Sequence, residues 1–329
     1  MVFWLNIEKS MAHSSSSRTV IFAALGGNLL VAATKFGAAF LTGSASMLSE
    51  AIHSLIDTGN QGLLLVGMKR ATRPATATHP FGYGLELYFW TFVVALLIFG
   101  LGAGVSLYEG IIHIIHPQPV AHVLVNYAVL VASIVFEGSV WLMALRAFRK
   151  EGKGRRGWVE AVQMSKDPTV FTVLFEDTAA LSGLFVALLG NVLAEWLDMP
   201  VLDGVASIII AFILAVTAAF LARESQSLLT GEGVAPEVLR ALRQMALAAD
   251  GVERLNEIRS MHFGPRDVLV VISLDFRNDM TAGQVEIVVS TLERQIKQTY
   301  PEVTRVFIEA QDSRGQPAAT AARGTAITP

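Results

Sequence analysis

The chain has 329 residues, 53% of them hydrophobic and 16% charged, with a formal net charge of −3. Soluble chains carry about 25% charged residues, and the deficit is concentrated in the first two thirds, so a membrane domain followed by a soluble one is expected. No strongly basic stretch offers a surface for nucleic acid, and the lack of cysteine excludes disulfides and thiolate metal sites.

Residues 1–18, with the run Ser14 to Ser17, read as a flexible tail. The apolar run from Thr19 to Leu41 is too long for a signal-peptide core and has no obvious cleavage site. A helix needs about 20 apolar residues to cross a hydrocarbon core of about 30 Å. Six segments qualify, at about 19–42, 45–68, 87–115, 122–148, 169–197 and 201–222, which places an all-α six-helix transmembrane domain over 19–224. The connections at Thr42 to Ser44, His116 to Pro119 and Asp198 to Pro200 hold no Lys or Arg. On the other side stand Lys69, Arg70 and Arg73, then Arg146, Arg149, Lys150, Lys153, Arg155, Arg156 and Lys166, and finally Arg223. Basic loops stay in the cytoplasm, so both termini are expected there. These loops and the compact length favour a bacterial inner membrane.

From about Val234 the pattern changes. Residues 235–249 have helical spacing, 252–262 and 268–276 read as strands joined at Gly264-Pro265-Arg266-Asp267, 281–299 return to helix with Thr281 as N-cap, and 303–309 form a last strand. The order αββαβ over 225–311 suits a small α+β domain of ferredoxin-like type, a sheet covered on one face by helices. Residues 312–329, rich in Ala, Thr, Gly and Pro, read as a disordered tail.

Ionisable residues inside apolar helices cost about 2.5–3.5 kcal/mol each at mid-bilayer and demand a reason. The second segment carries His53 and Asp57 four residues apart, on one helical face, and Glu50 and Asn60 extend that stripe. An imidazole and a carboxylate so placed can share a divalent cation; the pair suits zinc, and oxygen-rich sites also suit manganese. The bland alternative is that the two bond to each other as glue between helices. The fifth segment carries Glu176 and Asp177, adjacent acids whose repulsion a cation or a proton would relieve. Asp177 is then the natural partner of His53 and Asp57, with Glu176 turned about 100° away as a fourth ligand or a structural contact. Glu50 reads as a lining or relay residue, and Asp203 as an N-cap or a pathway acid. Lys35, Glu86, Glu109 and Glu137 either pair with one another, snorkel or line a water-filled cavity.

The stretch from Leu41 through Glu50 and His53 to Asp57, the loop His79-Pro-Phe-Gly-Tyr-Gly84, the segment Asp177-Thr-Ala-Ala-Leu-Ser-Gly183 and the acidic start at Asp203 together resemble the cation diffusion facilitator family of metal/proton antiporters. The resemblance runs over nearly the whole chain. It implies a homodimer in the lipid bilayer, a transport site between the second and fifth helices at His53, Asp57 and Asp177, and export of Zn2+, or of Mn2+, Fe2+ or Co2+, against protons by alternating access. It also implies that the αββαβ tail is a cytoplasmic dimerisation domain. Metal needs a neutral imidazole and ionised acids, so metal and protons compete for such a site.

Three features depart from the family pattern. Its fourth ligand sits one turn before the fifth-helix aspartate, where this chain has Val173, so Glu176 or a water must complete the shell. Some members share the Glu-Asp-Thr-Ala-Ala segment and also lack the fifth-helix histidine. The loop site that some members build needs a second histidine four residues after His79, where Tyr83 stands. The tail histidines of some members align with Asn256, Ser273 and Ile308, leaving His262 as a lone strand residue with a structural role. An enzyme is not expected, since the chain shows neither a GxxxxGK[ST] loop nor a nucleophile–base pair. The rivals to transport are a membrane scaffold or receptor that binds metal without moving it, and a channel.

Overall fold

The structure is a computed structural model that describes residues 25–26, 28–117, 122–151 and 168–312. The expected tail at 1–18, all but Asp312 of the tail at 312–329, and the basic stretch 152–167 lie outside the described residues. The chain divides into two compact units, Met1–Lys69 with Leu87–Gln226, and Arg70–Glu86 with Ser227–Pro329.

The first unit is helical. The short apolar helix α1 (Asn28–Thr42) is followed by α2 (Ala45–Ala71), α3 (Leu85–Ile115), α4 (Val123–Glu151), α5 (Pro168–Trp196) and α6 (Val201–Leu229). A π-helical segment, Ile98–Ala103, interrupts α3. Four of these helices, α3 to α6, are long and apolar enough to cross a membrane. The polar stripe of α2 keeps it out of that set. Gly43 turns the chain between α1 and α2 at φ +67°, a left-handed conformation that suits glycine.

Small residues let the helices approach. A Cβ on Gly110 of α3 would stand 2.9 Å from the Gly204 carbonyl oxygen of α6, and a Cβ on Gly204 would stand 2.9 Å from that of Gly110. Ala32, Ala38, Ala45, Ala51, Ala187 and Ala206 are buried, while Phe40 is 91% and Phe212 69% exposed. Large apolar side chains outside and small or polar ones inside is the arrangement an apolar solvent favours.

The second unit contains α7 (Pro236–Leu247), β1 (Val252–Gly264), β2 (Asp267–Phe276), α8 (Ala282–Thr299) and β3 (Val303–Ala310). The sheet order is β1-β2-β3, with β1 antiparallel and β3 parallel to β2. Val268, Val270, Ile272 and Leu274 alternate along β2 and bury one face of it against Leu242 and Ala246 of α7 and Leu292 and Ile296 of α8. Thr281 caps α8 as its sequence predicts: its Oγ accepts from the Gln284 N–H at 3.4 Å, and Gln284 Oε1 accepts from the Thr281 N–H at 2.8 Å.

The loop 70–86 belongs to this second unit. Phe81 stacks on Phe263 with ring centroids 4.8 Å apart, and the Arg305 guanidinium lies 5.4 Å from the Phe81 centroid. Arg305 is held by both carboxylate oxygens of Asp267, at 2.7 and 2.8 Å. Gly84 lies so close to the Phe263 carbonyl that no side chain fits there.

Candidate metal site

The start of α2 is held by an acid from another helix. Asp203 of α6 accepts the Ala45 N–H at 2.6 Å, the Ser46 N–H at 3.3 Å and the Ser44 hydroxyl at 2.9 Å. Sequence spacing left Asp203 as a cap for its own helix or a pathway acid; its carboxylate instead satisfies the open N–H groups and the positive end of α2. Further along α2, the Ser49 hydroxyl bonds to Ser207 of α6, and Ser207 donates to the Ser106 carbonyl of α3 at 2.8 Å. These bonds fix the register of the helix that bears the site.

One turn deeper lie the two residues of the expected ligand pair. His53 is 1% exposed, and neither ring nitrogen has a hydrogen-bond partner. Its Nδ1 stands 3.5 Å from Asp57 Oδ1. That is beyond the 2.7–3.2 Å of a well-formed bond, so the two side chains face each other without being satisfied by each other. Such buried orphan donors and acceptors are rare and need a reason.

Across the interface, α5 contributes Glu176 and Asp177. Glu176 is buried and accepts from Asn60 Nδ2 at 2.5 Å, which gives both members of that pair a defined contact. Asp177 points elsewhere. With Asp57 and Glu137 it lines one cavity, whose other walls include Asn28 and Ser54. Asp57 Oδ1, Asp177 Oδ2 and Glu137 Oε2 are all buried without a hydrogen-bond donor. Asp57 and Asp177, far apart in sequence, therefore face one space. Val173 is half-buried and apolar, so it brings no donor. Among the described residues no three acids or imidazoles stand ready-made in ligand geometry, and an ion would have to draw its side chains inward.

Lys35 of α1 is the charged residue whose place the sequence left open. It is fully buried and donates to Glu50 at 3.2 Å, to Ser54 at 2.8 Å and to Glu137 at 2.8 Å. Glu50 is thus an ion-pair partner, wedged against Gly183 of α5 where a side chain would collide with it. Glu137 of α4 is the residue that sequence reasoning did not single out. Its signal was a lone acid in an apolar helix, but its partner lies 102 residues away. The remaining open cases resolve locally, with Glu86 3.5 Å from Arg70 and Glu109 4.0 Å from His113. In the loop, the His79 ring stacks on Tyr83, centroids 4.3 Å apart. His262 is buried on β1, with Nδ1 3.5 Å from the Gly264 carbonyl.

The chain is similar to known proteins. Residues 21–230 match the Cation efflux transmembrane domain family. The chain is 34% identical over 243 residues to the mouse (Mus musculus) protein named proton-coupled zinc antiporter SLC30A9, mitochondrial, covering 74% of this chain and 43% of that protein. It is 27% identical over 276 residues to metal tolerance protein C4 of Arabidopsis thaliana, covering 83% and 60%. It is 25% identical over 295 residues to the manganese efflux system protein MneP of Bacillus subtilis, covering 89% and 95%. The chain spans a little under half the length of the SLC30A9 protein. With the family's transmembrane domain matched over 21–230, the chain belongs to the cation efflux family.

Proposed function

We propose that this protein exports a divalent metal ion, zinc first, in exchange for protons, through a site formed by His53, Asp57 and Asp177, with Glu176 or a water as a further donor. The observation that carries this reading is that the buried polar atoms of α2 and α5 without a hydrogen-bond partner include both nitrogens of His53, Asp57 Oδ1 and Asp177 Oδ2. A dication would take one His53 nitrogen and both carboxylate oxygens as ligands. A proton on an acid or on the imidazole removes a ligand, so metal and proton exclude each other and a proton gradient can drive export. The name of the mouse relative supports zinc and proton coupling. The oxygen-rich donor set, and the name of the Bacillus relative, make manganese the next candidate, followed by iron(II) and cobalt.

The wider architecture belongs to the same proposal. α1 and α2 join the four long apolar helices to give six spans over 19–224, both termini face the cytoplasm of a bacterial inner membrane, and 225–311 form a ferredoxin-like domain. The protein works as a homodimer. Support for dimerisation comes from Val271 on β2 and Phe307 on β3, register partners that are 38% and 55% exposed on the sheet face away from α7 and α8. Asn60 orients Glu176, while Glu50 and Asp203 serve through Lys35 and the start of α2.

Purified protein in vesicles with an imposed pH gradient tests the reading against a panel of Zn2+, Mn2+, Fe2+ and Co2+. Wild type should move zinc, and Asp57→Ala with Asp177→Ala should reduce flux to the level of empty vesicles. Unchanged flux in that double variant would sink the proposed site. Tight binding with no flux of any of the four metals would instead favour a metal-binding scaffold or receptor, the reading suggested by the missing donor at Val173.

A further inference from the structure

We propose that Glu137 on α4 is a further ligand of the transported cation, with Lys35 as the residue that positions its carboxylate. The inference rests on the site proposed above and adds a third helix to it.

Glu137 faces the same cavity as Asp57 and Asp177. One of its oxygens is occupied, since Oε1 accepts from Lys35 Nζ at 2.8 Å. The other, Oε2, is buried and has no donor. A carboxylate held by one oxygen with the second left open is oriented, and an oriented oxygen loses less freedom when it binds an ion. Lys35 is itself fixed by Glu50 and Ser54, both of α2, so the ammonium ties the carboxylate of α4 to the helix that carries His53 and Asp57. One turn before Asp57 on α2, His53 is 1% exposed with two unpartnered nitrogens, one 3.5 Å from the Asp57 carboxylate. The space is thus lined by unsatisfied carboxylate oxygens from α2, α4 and α5, while the local cation, Lys35, is turned toward Glu50, Ser54 and one edge of Glu137.

Glu176 is the poorer candidate, because it is not among the residues that line the cavity shared by Asp57, Asp177 and Glu137. The oxygen that Val173 cannot supply therefore comes from α4. A shell of one nitrogen and three or more oxygens is harder than a two-imidazole site, which broadens the metals accepted. Lys35 also limits the negative charge of the cavity, so that a dication can leave as well as enter.

The test is metal binding to the purified full-length protein in detergent, read by Zn2+ titration calorimetry and by the visible absorption of bound Co2+, whose bands report ligand number and type. Glu137→Gln should weaken Zn2+ at least ten-fold and alter the Co2+ spectrum, and Glu137→Asp, which keeps the charge, should lie between. The double variant Lys35→Gln with Glu137→Gln removes both halves of the ion pair, and its thermal unfolding and gel-filtration profile show whether the fold persists; it too should bind Zn2+ at least ten-fold more weakly. If Asp57→Ala with Asp177→Ala abolishes binding while the Glu137 variants keep wild-type affinity and a superposable Co2+ spectrum, the assignment of Glu137 is wrong and the two-helix site stands. If wild type binds neither metal, or binding survives loss of both aspartates, both readings fall.

Discussion

At Val173 the chain lacks a donor one turn before Asp177, and the side chain there is half-buried. Val173→His should add a nitrogen to the shell and raise the preference for zinc over manganese severalfold in a competition flux assay, because imidazole suits zinc better than manganese. The same chemistry fixes the sign of the pH dependence. The imidazole must be neutral and the acids ionised to bind metal, so Zn2+ affinity should rise with pH and fall as protons take the ligands. Calorimetry in two buffers of different ionisation enthalpy should detect protons released on binding, and an affinity flat from about pH 5.5 to 8, the range in which an ordinary imidazole titrates, would contradict the ligand set. His53 and Asp57 were legible because four residues make one helical turn, and a local rule suffices. Lys35, Glu50 and Glu137 were visible as charges but not as a triad. Their contacts cross 15 and 102 residues, and only the packing of α1, α2 and α4 brings them together.

Among the elements, α2 depends on an acid outside itself. Asp203→Ala would leave the N–H groups of Ala45 and Ser46 buried without the acceptor they have here. An unsatisfied buried group costs about 1–3 kcal/mol, so this variant should melt several degrees below wild type in a detergent thermal-shift assay, and Asp203→Asn, which keeps one acceptor, should recover part of the loss. An unchanged midpoint would mean that the start of α2 finds other partners. Apolar run length marked α3 to α6 in the sequence, and the β-branched, apolar run from Val268 to Phe276 marked β2. The hairpin turn reads as written, since only Pro265 and Arg266 separate β1 from β2. The docking of the loop at Phe81 and Gly84 against Phe263 was not legible, because it is a contact between rings and backbone that no periodicity announces. The role of Asp203 was half legible: its place at the start of α6 suggested a cap, but nothing local named the helix it caps.

For the whole molecule, the proposed dimer rests on the sheet and the proposed chemistry on the helices. Phe307→Asp should convert a proposed dimer to monomer in light scattering, with Val271→Asp doing the same more weakly, because each places a charge on an apolar patch; a mass that stays at two copies would place the interface elsewhere. The proposed transport cycle requires that one cation and the protons that replace it use the same side chains. Recording zinc and proton movement together, in vesicles that hold wild-type protein, addresses that requirement without an intermediate step. Zinc and protons should move in opposite directions, with the two traces sharing one time course, and a protonophore should abolish uphill zinc movement. Zinc movement with no accompanying proton movement, unaffected by collapse of the gradient, would contradict the proposal.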